Sequence, residues 1–322
     1  MTHARILAPI EADLRLVEAR IGQRLESDVP LVRQVAQYLV GGGGKRLRPA
    51  LLLLAAGAAG CRSEARIEMA SVVEFIHTAT LLHDDVVDGS DLRRGRDTAN
   101  ARFGNAASVL VGDFLYSRAF QMMVGCGSMR VMQVLAEATN TIAEGEVLQL
   151  MNCHDPGVGE GAYLEVIRRK TAKLFEASAR LGAVLAEAPP AVEAGLAEYG
   201  MRVGTAFQLV DDVLDYSGDA ASIGKSLGDD LAEGKPTLPL IRAMACGDPE
   251  QAGVVRRAIE HGGRGDFERV LAAVRATGAL DYAGDVARRE ADAAREALSR
   301  LAPSVYRESL LELASFSVTR RS

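Results

Sequence analysis

Six aspartates, at two places in the chain, have the spacing of metal ligands. Asp84, Asp85 and Asp88 lie in Leu81-Leu82-His83-Asp84-Asp85-Val86-Val87-Asp88, and Asp211, Asp212 and Asp215 lie in Leu209-Val210-Asp211-Asp212-Val213-Leu214-Asp215. Side chains three and four residues apart share one face of a helix, so each set forms an acidic patch in an otherwise apolar segment. Carboxylates that close repel one another, and burying them is costly unless a cation pairs with them. The natural partner is a hard divalent cation, and Mg²⁺ bound by a few carboxylates usually carries substrate phosphates as well. With 20 Asp among 322 residues, one such pattern arises by chance at roughly 0.08 per chain and two far more rarely. A helix cap or a solvated face therefore explains one copy better than it explains both.

A metal-bridged diphosphate also needs cations on its outer oxygens. Directly after the first patch comes the basic loop Gly89-Ser90-Asp91-Leu92-Arg93-Arg94-Gly95-Arg96, where Arg can bind such oxygens in bidentate fashion. Upstream, Gly41-Gly42-Gly43-Gly44 leads into Lys45-Arg46-Leu47-Arg48-Pro49. A glycine run permits close backbone approach, and the neighbouring cations make an anion site without the order of a Walker loop. Only five of the 37 basic residues are Lys: Lys45, Lys170, Lys173, Lys225 and Lys235. Where Arg is the default cation, a retained Lys marks a position suited to a compact ammonium.

The elements that must position these groups read as helices. Ala, Leu, Val, Glu and Arg dominate, hydrophobic residues make up 48% and aromatics 5%, which favours helix over sheet. Apolar periodicity predicts helices over 4–25, 31–40, 64–88, 105–124, 129–151, 163–186 and 191–216. The helix over 64–88 ends in the first acidic patch and carries His77 and His83. That over 163–186 carries Lys170-Thr171. That over 191–216 ends in the second patch, with Gln208 one turn before Asp212. Residues 218–239 read as a polar loop of lid-like size, and amphipathic helices with Arg-rich outer faces run from Leu238 to Thr319. No strand pattern of convincing length and no linker interrupts the chain, so residues 1–322 are expected to form one all-α domain.

The net charge of −6 argues against a nucleic-acid partner. No signal-like stretch and no apolar run long enough for a bilayer is present. Four Cys with neither metal-ligand spacing nor disulfide density point to a reducing cytoplasm.

The chain resembles the trans-polyprenyl diphosphate synthases of the polyprenyl synthetase family. The resemblance rests on GGGGKRLRPALL (41–52), HTATLLHDDVVDGSDLRRG (77–95), GDFLYSRAF (112–120), KTAKLFEASARLG (170–182), AFQLVDDVLDYSGD (206–219) and GKSLGDDLAEGKPTLPL (224–240), in the family's order. It implies a single large helical bundle of the isoprenoid synthase type with a central active-site cavity, and Mg²⁺, three ions per site. The implied substrates are isopentenyl diphosphate and an allylic diphosphate such as farnesyl diphosphate, joined in successive 1'-4 condensations. It implies that all six aspartates hold metal across the mouth of the bundle. Arg93, Lys170, Lys225 and Lys235 would neutralise the departing diphosphate, and Lys45, Arg48, His77 and Arg94 would bind isopentenyl diphosphate. Thr171 and Gln208 would turn oxygen dipoles toward the allylic cation, with the departed pyrophosphate removing the proton. Family members are usually homodimers packed through helices that include 105–124.

Product length is read along the helix before the first patch. One turn climbs about 5.4 Å, comparable to one extended isoprene unit. Ala79 with Thr80, then Ile76, then Val73 are the candidate walls one, two and three turns up, with Phe120 and Met123 nearer the floor. Short-chain relatives carry a large aromatic at the first turn where Ala79 stands here, and bacterial short-chain relatives carry a two-residue insertion in the first motif that is missing here. The expectation is a product of about C40 to C50, a quinone (ubiquinone-type) side-chain precursor. Other readings are a geranylgeranyl-type synthase and a class I terpene cyclase, although the cyclase's second motif has an Asn/Ser/Glu pattern. A head-to-head condensing enzyme would lack Lys45-Arg46-Leu47-Arg48, and a non-catalytic subunit would have lost aspartates from one patch.

Overall fold

Prolines open three of the helices. Pro30, Pro190 and Pro249 stand at the first helical position of Pro30–Val40, Pro190–Ser217 and Pro249–His261, where the missing N–H costs nothing and the fixed φ suits a helix. A computed structural model describes residues 3–40, 44–93, 95–217, 227–262 and 265–320. In chain order the helices are α1 His3–Leu7, α2 Glu11–Arg24, α3 Pro30–Val40, α4 Leu47–Ala58, α5 Ala65–Val87, α6 Ala99–Phe103, α7 Asn105–Gly125, α8 Met129–Asn152, α9 Glu160–Ile167, α10 Lys173–Leu185 and α11 Pro190–Ser217. They continue with α12 Asp229–Ala232, α13 Leu238–Cys246, α14 Pro249–His261, α15 Phe267–Ala276, α16 Ala279–Ala297 and α17 Val305–Thr319. Among the described residues the strands are one short antiparallel ribbon, β1 Leu92–Arg93 with β2 Arg96–Asp97. The all-α expectation holds.

Three local readings need correction. The opening helix is interrupted by a 3-10 turn at Ala8–Ile10, because Pro9 cannot donate to the helical ladder. The polar loop expected over 218–239 contains a short helix, α12, and gives way at Leu238 to α13. The helix expected over 163–186 begins at Glu160 and contains a π-helical turn, Arg168–Ala172, between α9 and α10.

The chain divides into two compact units. The first comprises Met1–Thr139, Leu174–Gly200 and Ala297–Leu313. Its core is built on α5, whose Val72, Val73, Phe75, Ile76, Ala79 and Leu82 are buried; each large apolar side chain contributes about 1.5–3 kcal/mol on burial. α7 approaches α5 closely because Ser108 and Gly112 are small. Ser108 Oγ donates to the Leu82 carbonyl at 3.1 Å, and a Cβ at Gly112 would lie 2.3 Å from His83 Nε2. His83 itself reaches the Val109 carbonyl at 3.1 Å and serves as an anchor between helices.

The second unit comprises Asn140–Lys173, Met201–Glu296 and Ala314–Ser322. One of its clusters gathers Tyr216, Leu231, Leu240, Val255, Ile259 and Val274, and another gathers Tyr163, Ile167, Leu209, Val210, Leu238 and Ala287. Among the described residues no helix is long and apolar enough to cross a membrane. Cys61, Cys126, Cys153 and Cys246 form no disulfides.

Candidate active site

The first patch occupies the last turn of α5. Gly89, at φ +61°, ends the helix immediately after Asp88, a left-handed conformation that glycine adopts without penalty. The chain then folds back as the β1–β2 ribbon and brings Arg93 onto Asp85. Arg93 Nε and Nη2 both donate to Asp85 Oδ1, at 2.8 and 2.6 Å, and the Asp85 side chain is buried. Asn100 Nδ2 closes the turn by donating to the carbonyls of Asp85 and Ser90, at 3.2 and 3.1 Å. Asp84 and Asp88 are half-buried.

The cations of the Lys45–Arg48 stretch have separate duties. Arg46, at φ +48°, pairs with buried Glu74 and with Glu18 and so supports the scaffold. Arg48 donates from Nη1 to His77 Nε2 at 3.0 Å, and its guanidinium lies 4.4 Å from the centroid of the Phe175 ring. Arginine cannot accept, so His77 Nε2 is the acceptor and the ring proton sits on Nδ1. Lys45 is exposed.

The proposed wall residues lie higher on α5. Ala79, Ile76 and Val73 are fully buried, whereas Thr80 is half-buried and spends its hydroxyl on the His77 carbonyl at 2.8 Å. Met123 is buried, but Phe120 is 39% exposed. Phe120 therefore lies at the surface of its unit, on the outward side of α7.

In the second unit the catalytic candidates form a chain of hydrogen bonds. Thr171 Oγ1 donates to Gln208 Oε1 at 3.0 Å, and Gln208 Nε2 donates to Asp212 Oδ1 at 2.8 Å. The buried Tyr163 hydroxyl donates to Asp212 Oδ2 at 2.5 Å. Thr171 and Lys170 stand on the π turn, a helical irregularity that often marks functional sites. α8 can approach that turn only because residue 145 is glycine: a Cβ there would lie 2.6 Å from Lys170 N. Lys170 Nζ pairs with Glu146 at 2.5 Å, and Lys235 pairs with Glu233. Arg94, Lys225, Gly41 to Gly43 and residues 218–226 of the expected lid loop (218–239) lie outside the described residues.

In this second patch Arg320 meets Asp211, but among the described residues no ion pair reaches Asp212 or Asp215. Burial, and then the charge of Asp230, hold the Asp212 carboxyl well above the usual range. Burial, then Asp230 and Asp229, raise Asp215 to about 8, although backbone N–H groups of Asp229 and Asp230 point at it. Asp215 Oδ2 is buried with no hydrogen-bond partner among the described residues. Oxygen donors of one sign, with one left unpaired, fit a hard divalent cation. Among the described residues no three His, Cys, Asp or Glu side chains form a ready-made cage. Such an ion would complete its shell with water and ligand phosphate, as Mg²⁺ commonly does.

Several neighbours were not foreseen. Tyr163 and Arg320 reach Asp212 and Asp211 from 49 and 109 residues away, and nothing in their local sequence announces it. Glu146 and Phe175 likewise carry no signal of their own. Asp229 and Asp230 were visible, inside GKSLGDDLAEGK, as an acidic pair beside a lysine.

Comparison with known proteins agrees with this picture. Residues 29–276 match the model of the polyprenyl synthetase family. The octaprenyl diphosphate synthase of Escherichia coli (strain K12) is 55% identical over 309 residues, 96% of either chain. A polyprenyl synthase from Caulobacter crescentus CB15, solved in complex with calcium and isoprenyl diphosphate, shares 47% identity and a TM-score of 0.96 over 100% of this chain and 98% of that one. A decaprenyl diphosphate synthase from Rhodobacter capsulatus shares 44% identity and a TM-score of 0.94 over the whole of both chains. The chain belongs to the polyprenyl synthetase family and has its all-α isoprenoid synthase fold.

Proposed function

We propose that this protein is a long-chain trans-polyprenyl diphosphate synthase, a prenyltransferase that adds isopentenyl diphosphate repeatedly to an allylic diphosphate. The observation that carries the reading is the charge-starved carboxylate cluster around Asp215, whose unpaired buried oxygen calls for a cation. The long-chain relatives favour this reading over a geranylgeranyl-type synthase or a cyclase, and the calcium and isoprenyl diphosphate bound by the Caulobacter protein support a hard-ion, diphosphate-binding role.

In this reading Asp84, Asp85, Asp88, Asp211, Asp212 and Asp215 ligate Mg²⁺, three ions per site. Bound Mg²⁺ supplies charge that favours departure of the allylic diphosphate. The residues of the chain do the rest. Arg93, Lys170, Lys225 and Lys235 contact the departing diphosphate, which requires Arg93 to release Asp85, Lys170 to release Glu146 and Lys235 to release Glu233. Arg48, held flat by Phe175, and His77, with its proton on Nδ1, join Lys45 and Arg94 in binding isopentenyl diphosphate. The Thr171–Gln208–Asp212 chain fixes the two side chains whose oxygens face the developing allylic cation. The departed pyrophosphate takes the proton. Ala79, Thr80, Ile76 and Val73 border the growing tail, which ends at about C40 to C50 as the side chain of a ubiquinone-type quinone.

Residues 1–322 act as one polyprenyl synthetase domain in the cytoplasm. Two copies pair through α7, whose Leu110, Phe120 and Val124 are exposed apolar side chains. The test is incubation with Mg²⁺, farnesyl diphosphate and labelled isopentenyl diphosphate, followed by chromatography of the dephosphorylated product. Extension by several units is the expected outcome; hydrocarbon release, or no incorporation, refutes the reading.

A further inference from the structure

Arg320, just beyond α17, lies outside both the family match and the motifs of the sequence. Its side chain is 4% exposed, and Nη2 donates to Asp211 Oδ1 and to the Phe207 carbonyl, each at 2.7 Å. The guanidinium also lies 3.7 Å from the centroid of the Phe207 ring, and its Nε is buried with no hydrogen-bond partner among the described residues. Phe207 and Asp211 stand four residues apart on α11, so ring, carbonyl and carboxylate receive one guanidinium on one helix face. Lysine could not satisfy all three, because it neither stacks nor forks. The Asp211 side chain is 43% exposed and so stays accessible to another cation.

We propose that Arg320 is the internal counter-cation of the second aspartate patch, pairing with Asp211 in the metal-free protein and ceding that carboxylate's charge when a divalent cation binds. The inference rests on the metal role proposed above. A carboxylate beside Asp212 and Asp215 gains from a positive neighbour, and the buried Arg320 needs that carboxylate in turn, because a buried guanidinium left without an anion is costly. A fixed guanidinium a few ångströms from a divalent ion also repels it. Arg320 thus stabilises the empty site and weakens the filled one, so metal and arginine alternate as the charge that holds the patch together.

The test uses the full chain and the variants Arg320→Gln, Arg320→Lys, Asp211→Asn and the double variant Arg320→Gln/Asp211→Asn. The thermal midpoint is read in EDTA, and Mn²⁺ binding is read by electron paramagnetic resonance with inorganic pyrophosphate present. Arg320→Gln is expected to lower the midpoint in EDTA by about 2–6 °C and to tighten Mn²⁺ binding by about tenfold. Arg320→Lys keeps the charge, so its Mn²⁺ affinity stays at the wild-type value; it also guards against a glutamine variant that fails to fold. In the Asp211→Asn background, Arg320→Gln should cost little more. An equal cost in both backgrounds, or Mn²⁺ affinity unchanged or weaker in Arg320→Gln, overturns the exchange and leaves Arg320 a packing residue on Phe207. Absence of Mn²⁺ binding to wild type overturns the metal role itself, and the exchange with it.

Discussion

If the tail grows along α5, a bulky side chain placed one turn further from the first patch should lengthen the product by one unit. Ala79, Ile76 and Val73 precede Asp84 by five, eight and eleven residues, which is about 7.5, 12 and 16.5 Å of helix rise. Each is 0% exposed, so a phenylalanine there must project into whatever space the tail uses or strain the core. Ala79→Phe should stop the tail at about two to three isoprene units, and Ile76→Phe and Val73→Phe at about one and two units more. Overpacking costs about 1–3 kcal/mol, so thermal midpoints are measured alongside to confirm that the variants fold. Farnesyl diphosphate already carries a three-unit tail, so the series is primed with dimethylallyl and geranyl diphosphate, and Ala79→Phe should also lose farnesyl extension. Reversed-phase thin-layer chromatography of the dephosphorylated products gives the lengths. Unchanged lengths, or lengths that fail to rise in the order 79, 76, 73, would refute the wall assignment.

Other outcomes follow from the same geometry. Asp84→Ala and Asp211→Ala should each lower turnover on the order of 100-fold or more with the helical circular dichroism intact; near-normal turnover in either variant removes it from the metal set. Gly182→Ala places a Cβ 2.5 Å from Ala56 N and 2.6 Å from Ala55 Cβ. Backbone that rigid cannot yield, so overpacking of about 1–3 kcal/mol outweighs the helix-propensity gain of about 1 kcal/mol; a gain in stability on chemical denaturation would show that α4 and α10 pack more loosely. Asp215, at about 8 against an ordinary 3.8, binds a proton in the folded chain that the unfolded chain releases. Stability of the metal-free protein should therefore fall as pH rises from about 4 to about 8, and flatten above. The midpoint increase on adding Mg²⁺ with pyrophosphate should be larger at pH 8 than at pH 5.5, and Asp215→Asn should remove most of that difference.

The candidate site residues stand out in the sequence because their types are costly to bury without a partner. Two acidic patches in apolar helices, and lysines retained in an arginine-rich chain, stand out against composition alone. What was not legible is whatever depends on distant partners or local strain. Tyr163 and Arg320 look like an ordinary core tyrosine and a surface arginine until folding brings them onto Asp212 and Asp211. The π turn at Arg168–Ala172 was not legible in apolar periodicity, because a single wide turn is too short a break to stand out in a window of eleven or more residues. The β1–β2 ribbon is too short to show alternation, yet it carries Arg93 to Asp85.

The largest difference lies between two patches that the sequence writes alike. Spacing reports that carboxylates share a face but says nothing of the groups that meet them. The first patch, at a helix end closed by Gly89, meets its cation from the adjoining loop, and Arg93 neutralises Asp85 directly. Each patch buries one carboxylate, Asp85 or Asp212, and leaves two half-buried, but in the second no cation among the described residues meets the buried one: Asp212 is held by Tyr163 and Gln208, Asp215 favours its protonated form, and Asp211 is met by Arg320. Loading the first patch with metal therefore means displacing Arg93 from a largely buried ion pair, which salt screens only weakly. Loading the second means releasing protons as well, a step set by pH. Metal titrations of Asp84→Ala and Asp211→Ala at two pH values separate the two. The site left in Asp84→Ala should respond to pH more strongly than the site left in Asp211→Ala, and the same pH response from both would show that their partners do not distinguish them.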